Sequence, residues 1–250
     1  MRNAIVTLNI GSVFRTNARR SLEHAAARWN ACLIELTAPL VVPTFYPSYN
    51  KFLLGRVPGF AEFERILFCD PDILINISTP NIFELSPSYF YAVRDGDRFA
   101  YDAALHSQME QLVAKDHYSE AVQYCNWEVS ETVYLNNFFN AGFFLFSPRY
   151  HSDMFAYLDA TYERMAASEA DFSTKNFLEQ AIFNCVVQYF CKEKLSLLPC
   201  DWNFLEPPVL NGETTMERWV YHFTGPVLHK HKELIDQVDW TVPIPIEREI

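Results

Sequence analysis

The stretch Arg65-Ile-Leu-Phe-Cys-Asp70-Pro-Asp72-Ile-Leu-Ile75 places two carboxylates inside a run of apolar residues. The apolar run before Asp70 is too short for a typical helix and predicts a buried strand. In an open α/β sheet, ligands bind outside the carboxyl ends of the strands. Two carboxylates at such an end suit a hard divalent cation, which keeps coordination positions open for substrate phosphates. The stretch therefore predicts an α/β fold, a metal site and a phosphorylated substrate.

The same Asp-Pro-Asp sequence has two other interpretations. Asp and Pro both favour tight turns, so the two carboxylates could belong to a turn without a function. A strand that ends in Asp-x-Asp is also found in haloacid dehalogenase phosphatases, where the first Asp is a nucleophile. Those enzymes need a downstream Lys and a further acidic pair for their metal, and no convincing Asp-Asp pair follows Asp72.

Composition limits the classes of partner. Half of the 250 residues are hydrophobic and 16% are aromatic, so the chain can bury a large core. The net charge of −11 argues against a nucleic-acid partner, whose phosphates require Lys and Arg surfaces. The same charge disfavours electrostatic docking on an anionic membrane. An anionic substrate would therefore need a metal or a few well-placed cations.

No targeting segment is expected from the sequence. Its N-terminus leads directly into a strand pattern, and no apolar run approaches 18 residues, so no transmembrane segment is expected. The six cysteines show neither Cys-x-x-Cys pairs nor zinc-type spacing. They are interpreted as buried thiols in a reducing compartment, which predicts a cytoplasmic protein.

Hydrophobic periodicity predicts alternating strands and helices. A strand at 4–10, a helix at 16–29 and a strand at 31–36 form a β-α-β opening. The other predictions are helices at 51–57, 103–124, 154–165 and 175–190, a short helix ending at 85, and strands at 89–93, 138–146, 195–198 and 219–223. The strand at 138–146 is expected to contain a small-residue break. No composition change marks a second domain, so residues 1–250 are predicted to form one domain, with a surface insertion at 98–135 and a tail from about 233.

Four further segments place polar groups in apolar surroundings. His222 ends a strand shortly before Gly225, and Asn140 lies with Gly142 inside an apolar strand, where a Gly often marks close approach of a ligand or another backbone. Glu179-Gln180 lies near the start of a helix, and residues 198–203 form a turn with an aromatic side chain. Each segment also has a purely structural interpretation, such as a core His, an N-cap or a packed loop.

In this order, the segments resemble the GT-A glycosyltransferases of family 8, the group that includes glycogenin and the bacterial lipopolysaccharide galactosyltransferases. The resemblance covers about residues 4 to 232. The matching residues are Val6-Thr7-Leu8 with Phe14, Lys51, Asp70 and Asp72, Ala92 and Asp95, Asn140-Ala141-Gly142, Glu179-Gln180, Trp202-Asn203, and His222 with Gly225. The chain departs from the family at two places: Glu179 replaces the usual Asp, and Lys230 lies two residues beyond the position of the closing Lys.

The resemblance implies a GT-A fold, which is a Rossmann-like α/β architecture with a mixed, mostly parallel central sheet flanked by helices. It implies transfer of a hexose, glucose or galactose by default, from a UDP-sugar to an unidentified glycan or protein acceptor, with retention of configuration. Asp70, Asp72 and His222 would bind Mn²⁺ or Mg²⁺, and the mixed oxygen and imidazole set suits Mn²⁺ better than Ca²⁺.

The resemblance also implies roles for the remaining site residues. Asp95, Glu179 and Gln180 would act at the reacting sugar, with Gln180 as an electrostatic helper. Lys51 and Lys230 would neutralise donor phosphates. The full set of donor-binding residues is Thr7, Leu8, Ile10, Phe14, Lys51, Asn140, Gly225 and Lys230.

Three alternatives stay open at the level of sequence. The chain could be a nucleotide-sugar-binding protein without transferase activity, because its donor site would be the same. It could be a metal-dependent phosphatase of the type described above. It could also be a transferase from another GT-A family that uses a different nucleotide.

Overall fold

The computed structural model describes residues 2–11, 15–41, 45–95, 103–126, 129–168, 171–172, 176–204, 214–223 and 232–244. At 103–113, 176–177 and 232–233 it describes the backbone alone. The predictions on Phe14, Gly225 and Lys230 therefore lie outside the described residues.

Among the described residues, six strands form a central sheet and two more form a small antiparallel pair. The order in the central sheet is β2-β1-β3-β6-β5-β7, and β4 pairs with β8. β6 runs antiparallel to β3 and β5, whereas the three other contacts are parallel. This mixed, mostly parallel sheet confirms the predicted fold class. The strands are β1 (Arg2–Leu8), β2 (Ala31–Leu36), β3 (Phe63–Cys69), β4 (Ile73–Ile75), β5 (Phe90–Arg94), β6 (Phe139–Phe146), β7 (Leu195–Leu198) and β8 (Val220–His222).

Helices cover both faces of the sheet. They are α1 (Thr16–Arg28), α2 (Ala103–Cys125), α3 (Glu131–Asn136), α4 (Pro148–Ala166) and α5 (Asn176–Phe190). Side chains of β1 alternate between two hydrophobic clusters, since Val6 packs with residues of α4 and α5 and Ile5 packs with residues of α1. The period of two along a strand explains why neighbouring residues enter different clusters. Burial on both faces fixes the direction of the strands, and so fixes which groups emerge at their carboxyl ends.

Two predicted helices differ from the observed ones. The segment predicted as a helix at 51–57 is a 3-10 helix over Pro47–Arg56, and the helix predicted at 154–165 already begins at Pro148. Proline lacks an N–H and has a helical φ, so it fits the first turn of a helix, where that N–H has no partner. The predicted starts at 51 and 154 are therefore too late, because each helix begins at a proline that precedes them.

The strand predicted at 138–146 is observed as Phe139–Phe146, in which every residue is buried. Its pairing with β5 is irregular, because Ala92 lies opposite Phe144 whereas Arg94 lies opposite Phe139. The small-residue break expected in this strand therefore coincides with a shift of register. No helix within the described ranges is both long and apolar enough to cross a bilayer.

Candidate active site

The acidic motif lies at the carboxyl end of β3. β3 ends at Cys69, and the N–H of Asp70 donates to the carbonyl of Gly142 on the neighbouring strand β6 at 2.8 Å. The chain then turns through Pro71, and β4 begins at Ile73. Asp70 and Asp72 therefore leave a buried sheet at the edge where α/β proteins bind ligands.

Strand pairing brings His222 to these carboxylates. Ile73 lies opposite His222 in the β4–β8 pair, and the N–H of Phe223 donates to the carbonyl of Asp72 at 2.9 Å. The Nε2 atom of His222 lies 3.2 Å from Asp72 Oδ1 and 3.6 Å from Asp70 Oδ2. One ligand atom from each of the three residues lies within 4.8 Å of the others, so the group can hold a metal ion. Two carboxylates and one imidazole form a donor set suited to Mn²⁺.

Gly142 makes room for this group. A Cβ atom at this position would lie 2.3 Å from His222 Cε1 and 2.5 Å from Asp70 Oδ2, which is far inside van der Waals contact. The glycine thus reflects the close approach of these side chains. Any larger residue would separate the imidazole from the carboxylates.

Lys51 joins the group from the 3-10 helix. Its Nζ atom lies 3.4 Å from Asp70 Oδ1 and 3.1 Å from Glu179 Oε1, and the Lys51 and Glu179 side chains are only 6% and 5% exposed. Burial by itself lowers the pKa of Lys51, but the two carboxylates outweigh it and raise that pKa. Burial raises the pKa of Glu179 against the opposing effect of Lys51. Lys51 is therefore a cation held between two acids, one of which belongs to the candidate metal site.

A chain of side-chain hydrogen bonds runs from Asp95 to His222. Gln180 Nε2 donates to Asp95 Oδ2 at 3.2 Å, and Asn140 Nδ2 donates to Gln180 Oε1 at 3.1 Å. Asn203 Nδ2 donates to Asn140 Oδ1 at 3.1 Å, and Asn203 Oδ1 lies 3.1 Å from His222 Nδ1. Five residues from five parts of the chain thus form one continuous polar network. The network ends at the candidate metal site.

The predicted nucleotide-binding residues lie beside this network, at the end of the adjacent strand. Thr7 and Leu8 are buried at the carboxyl end of β1, and Ile10 follows them, partly exposed. The hydroxyl of Thr7 is buried and has no hydrogen-bond partner among the described atoms. Buried hydroxyls usually have a hydrogen-bond partner, so this group marks Thr7 for a test of ligand binding.

The structure brings together most of the predicted site residues. Lys51, Asp70, Asp72, Asp95, Asn140, Glu179, Gln180 and His222 form one connected set, and Thr7, Leu8 and Ile10 lie on the neighbouring strand. Sequence reasoning gave no role to Asn203, although it lies in a segment that matched the family. The short strand β4 was also missed, because three apolar residues after a turn carry too little periodicity to predict a strand.

Comparison with solved structures identifies the fold. A glycosyltransferase involved in glycosylation of the major capsid of PBCV-1 matches with a TM-score of 0.56 and 12% identity, over 95% of this chain and 100% of that chain. The bifunctional glycosyltransferase WbbM matches with a TM-score of 0.54 and 12% identity, over 90% of this chain and 46% of that chain. The galactosyltransferase LgtC, solved with donor and acceptor sugar analogs, matches with a TM-score of 0.50 and 13% identity, over 96% of this chain and 97% of that chain.

Sequence comparison identifies the family. No curated protein sequence matches the chain. The family model described as "Glycosyl transferase family 8" matches residues 43–227, which is more than half of the chain and includes Lys51, the acidic motif and His222. The chain therefore belongs to glycosyltransferase family 8.

Proposed function

We propose that this glycosyltransferase is metal-dependent and moves a hexose, glucose or galactose, from a UDP-sugar to an acceptor with retention of configuration. The observation that carries the proposal is the convergence of Asp70, Asp72 and His222 at the carboxyl end of β3. We propose that residues 1–250 form one catalytic domain, in which the segment at 98–135 and the tail from about 233 contribute to the acceptor side.

Asp70, Asp72 and His222 would hold Mn²⁺, or Mg²⁺ in its place. When bound, the ion supplies Lewis-acid stabilisation of the departing diphosphate. The fit rests on two observations: the three ligand atoms already lie close together, and Gly142 has no Cβ that would displace His222 and Asp70. The chain's own contribution is to hold the two carboxylates and the imidazole in place before any donor arrives.

Lys51 would place a fixed positive charge next to the donor's phosphates. Asp70 and Glu179 already neutralise much of that charge, so its attraction for phosphate is weaker than that of a lysine without carboxylate partners. Its second task is to orient Asp70. Lys230 remains the candidate for the remaining phosphate charge, and Gly225 the candidate for close approach of the donor.

Asp95, Asn140, Glu179 and Gln180 would contact the transferred sugar. The amide of Gln180 is held on both sides, because its Oε1 accepts from Asn140 and from the N–H of Ala141, and its Nε2 donates to Asp95. An amide is a poor nucleophile, and one that is held in this way acts best as a fixed dipole. This supports an ion-pair-like path with retention, in which Gln180 stabilises positive charge on the sugar.

The uracil and ribose would lie against Thr7, Leu8, Ile10 and Phe14. The donor class can be tested with a thermal-shift screen of UDP-, GDP- and dTDP-sugars in the presence of Mn²⁺. A ligand at 100 times its Kd stabilises the folded state by about 2.7 kcal/mol, so the true nucleotide should raise Tm measurably. Equal shifts with all three nucleotides would remove the preference for uridine.

The metal role is tested by turnover of radiolabelled UDP-glucose and UDP-galactose. We expect hydrolysis or transfer with Mn²⁺, and its loss in excess chelator and in Asp72→Ala. Asp153→Ala, an exposed acid on α4, is the matched control and should keep wild-type turnover. Unchanged turnover in excess chelator would remove the metal from the proposal, and an inverted product anomer in an NMR assay would remove retention.

A further inference from the structure

We infer that Asn203 is a positioning residue, which holds the imidazole of His222 with its proton on Nδ1 and thereby turns the lone pair of Nε2 toward Asp70 and Asp72. The inference rests on the proposed metal site and concerns a residue outside it.

The backbone fixes Asn203 beside His222. Asn203 follows the 3-10 helix Cys200–Trp202 and is completely buried. The N–H of Phe204 donates to the carbonyl of Val220 at 2.9 Å, and the N–H of His222 donates to the carbonyl of Phe204 at 2.8 Å. Two hydrogen bonds thus tie the segment after Asn203 to β8, so its side chain has little freedom to move away from the imidazole.

One backbone amide shows which terminal atom of the Asn203 side chain is the oxygen and which is the nitrogen. The N–H of Gly142 can only donate, and it lies 2.9 Å from the side chain of Asn140, so the Asn140 atom there must be the acceptor Oδ1. The Asn203 atom that lies 3.1 Å from this oxygen must then be the donor Nδ2. The other terminal atom of Asn203 is therefore the oxygen.

A second backbone amide gives the same orientation independently. The N–H of Ala141 donates to Gln180 at 3.2 Å, which identifies the Gln180 atom as Oε1. The Asn140 atom 3.1 Å from Oε1 must then be the donor Nδ2, which again leaves Oδ1 of Asn140 facing Asn203. Both amides belong to β6, where the chain is continuous and fully buried. The orientation of these amide side chains is therefore set by a strand and not by a loop.

This polarity decides the tautomer of His222. Its Nδ1 atom lies 3.1 Å from Asn203 Oδ1, and an amide oxygen can only accept, so Nδ1 carries a proton. Nε2 is then the nitrogen that can offer a lone pair, and it is the atom closest to the carboxylates, at 3.2 Å from Asp72 Oδ1. Metal-binding histidines generally donate their other N–H to a fixed acceptor, which orients the ring and raises its basicity.

The first test compares Mn²⁺ affinity, measured as free Mn²⁺ by electron paramagnetic resonance, with and without UDP. Asn203→Leu keeps the branching of the side chain at Cγ and removes the acceptor, and we expect it to weaken Mn²⁺ binding by about 10- to 100-fold. Asn203→Asp keeps an acceptor for Nδ1 but loses the donor to Asn140, and should bind Mn²⁺ more tightly than Asn203→Leu. A space-filling role would give the opposite order, since Leu fills the site without repulsion against Asn140 Oδ1.

The matched control is Asn76→Leu. Asn76 is a buried asparagine next to the same β4–β8 pair, and its side chain bonds Ser78 and the carbonyl of Val242 rather than His222. It should lose stability without losing Mn²⁺ affinity. An equal loss of affinity in Asn76→Leu and Asn203→Leu would overturn the inference, because the effect would then come from the strands.

The second test needs no Asn203 variant and so does not depend on its folding. In ¹⁵N-histidine-labelled protein with Mg²⁺ and UDP, the resonances of His222 are assigned by their absence in His222→Gln. We expect a protonated Nδ1 and an unprotonated Nε2, and a proton on Nε2 alone would overturn the inference. If the wild-type protein binds Mn²⁺ neither alone nor with UDP, the proposed metal site itself fails, whereas normal binding in Asn203→Leu removes only the role of Asn203.

Discussion

Lys51 and Arg56 lie on the same 3-10 helix, and each contacts two carboxylates, yet one is buried and the other is exposed. Lys51 is 6% exposed and reaches Asp70 and Glu179 at the candidate active site. Arg56 is 34% exposed and binds Asp159 and Glu163 on α4, with its Nε 2.9 Å from Asp159 Oδ2. Each cation and its two carboxylates form a cluster of similar chemistry, but the Lys51 cluster is largely buried and the Arg56 cluster is exposed to solvent.

Burial gives the two clusters different energetics. Water can replace the partners of Arg56, so that exposed cluster contributes little to stability. Water has poor access to Lys51 and Glu179, so the loss of the Lys51 charge leaves the Glu179 carboxylate without this compensation. A buried arrangement is therefore rigid, and rigidity is what a site needs in order to hold charges for a substrate. Three pairs of substitutions compare the candidate active site with the region around α4.

The largest effect on turnover and Mn²⁺ binding is expected when a glycine of the candidate site, Gly142, is replaced by alanine. Gly142→Ala would force a Cβ into His222 and Asp70, and we expect it to abolish turnover and to weaken Mn²⁺ binding beyond the about 10- to 100-fold typical of indirect changes. The Cβ that Gly55→Ala adds would lie 3.6 Å from Phe155 Cβ, an ordinary van der Waals distance, and the φ angle of Gly55 is not positive. This variant should keep turnover and change stability by less than about 1 kcal/mol. Turnover assays and Mn²⁺ titration check both variants, and wild-type turnover in Gly142→Ala would contradict the site.

The second pair removes the two cations. Lys51→Met should lower the free energy of unfolding by about 3 kcal/mol, at the lower end of the range for a broken buried pair, because Asp70 is partly exposed. Arg56→Met should lower it by less than about 1 kcal/mol. Urea unfolding followed by circular dichroism measures both values. Equal losses in the two variants would mean that burial does not separate the clusters.

The smallest effect is expected for two buried threonines. Thr7→Val removes a hydroxyl without a described partner, so we expect a gain of up to about 1 kcal/mol in stability and weaker UDP binding. Thr161→Val, on α4 between the partners of Arg56, removes a hydroxyl that donates to Tyr157 at 2.9 Å and should lower stability by about 1 kcal/mol. Calorimetry with UDP completes the comparison, and unchanged UDP affinity in Thr7→Val would exclude a role for its hydroxyl.

Much of the fold could be predicted because its signals are local. The buried run before Asp70, the β-α-β opening and the strand at Leu195–Leu198 follow from hydrophobic patterns within a few residues, and the structure confirms them. The starts of two helices at Pro47 and Pro148 were missed because proline has opposite effects at the first turn and in the interior of a helix.

The sequence could predict which residues are candidates for the site better than it could predict the contacts between them. Asp70, Asp72 and His222 could be selected from the sequence because carboxylates and a histidine interrupt or end apolar runs, in an order that resembles one family. Lys51 could be selected too, but its position between Asp70 and Glu179 could not, because that depends on how a 3-10 helix packs against α5.

The sequence by itself determined the alternation of elements, the carboxylates at a strand end and the family to which the chain belongs. Only the tertiary structure decided that β4 pairs with β8, that Gly142 leaves room for His222, and that Asn203 faces its Nδ1. The physical reason is the distance along the chain over which each kind of interaction acts. Periodicity and turn chemistry act between neighbours along the chain, whereas the direction of a buried hydrogen bond depends on partners that packing brings together from distant segments.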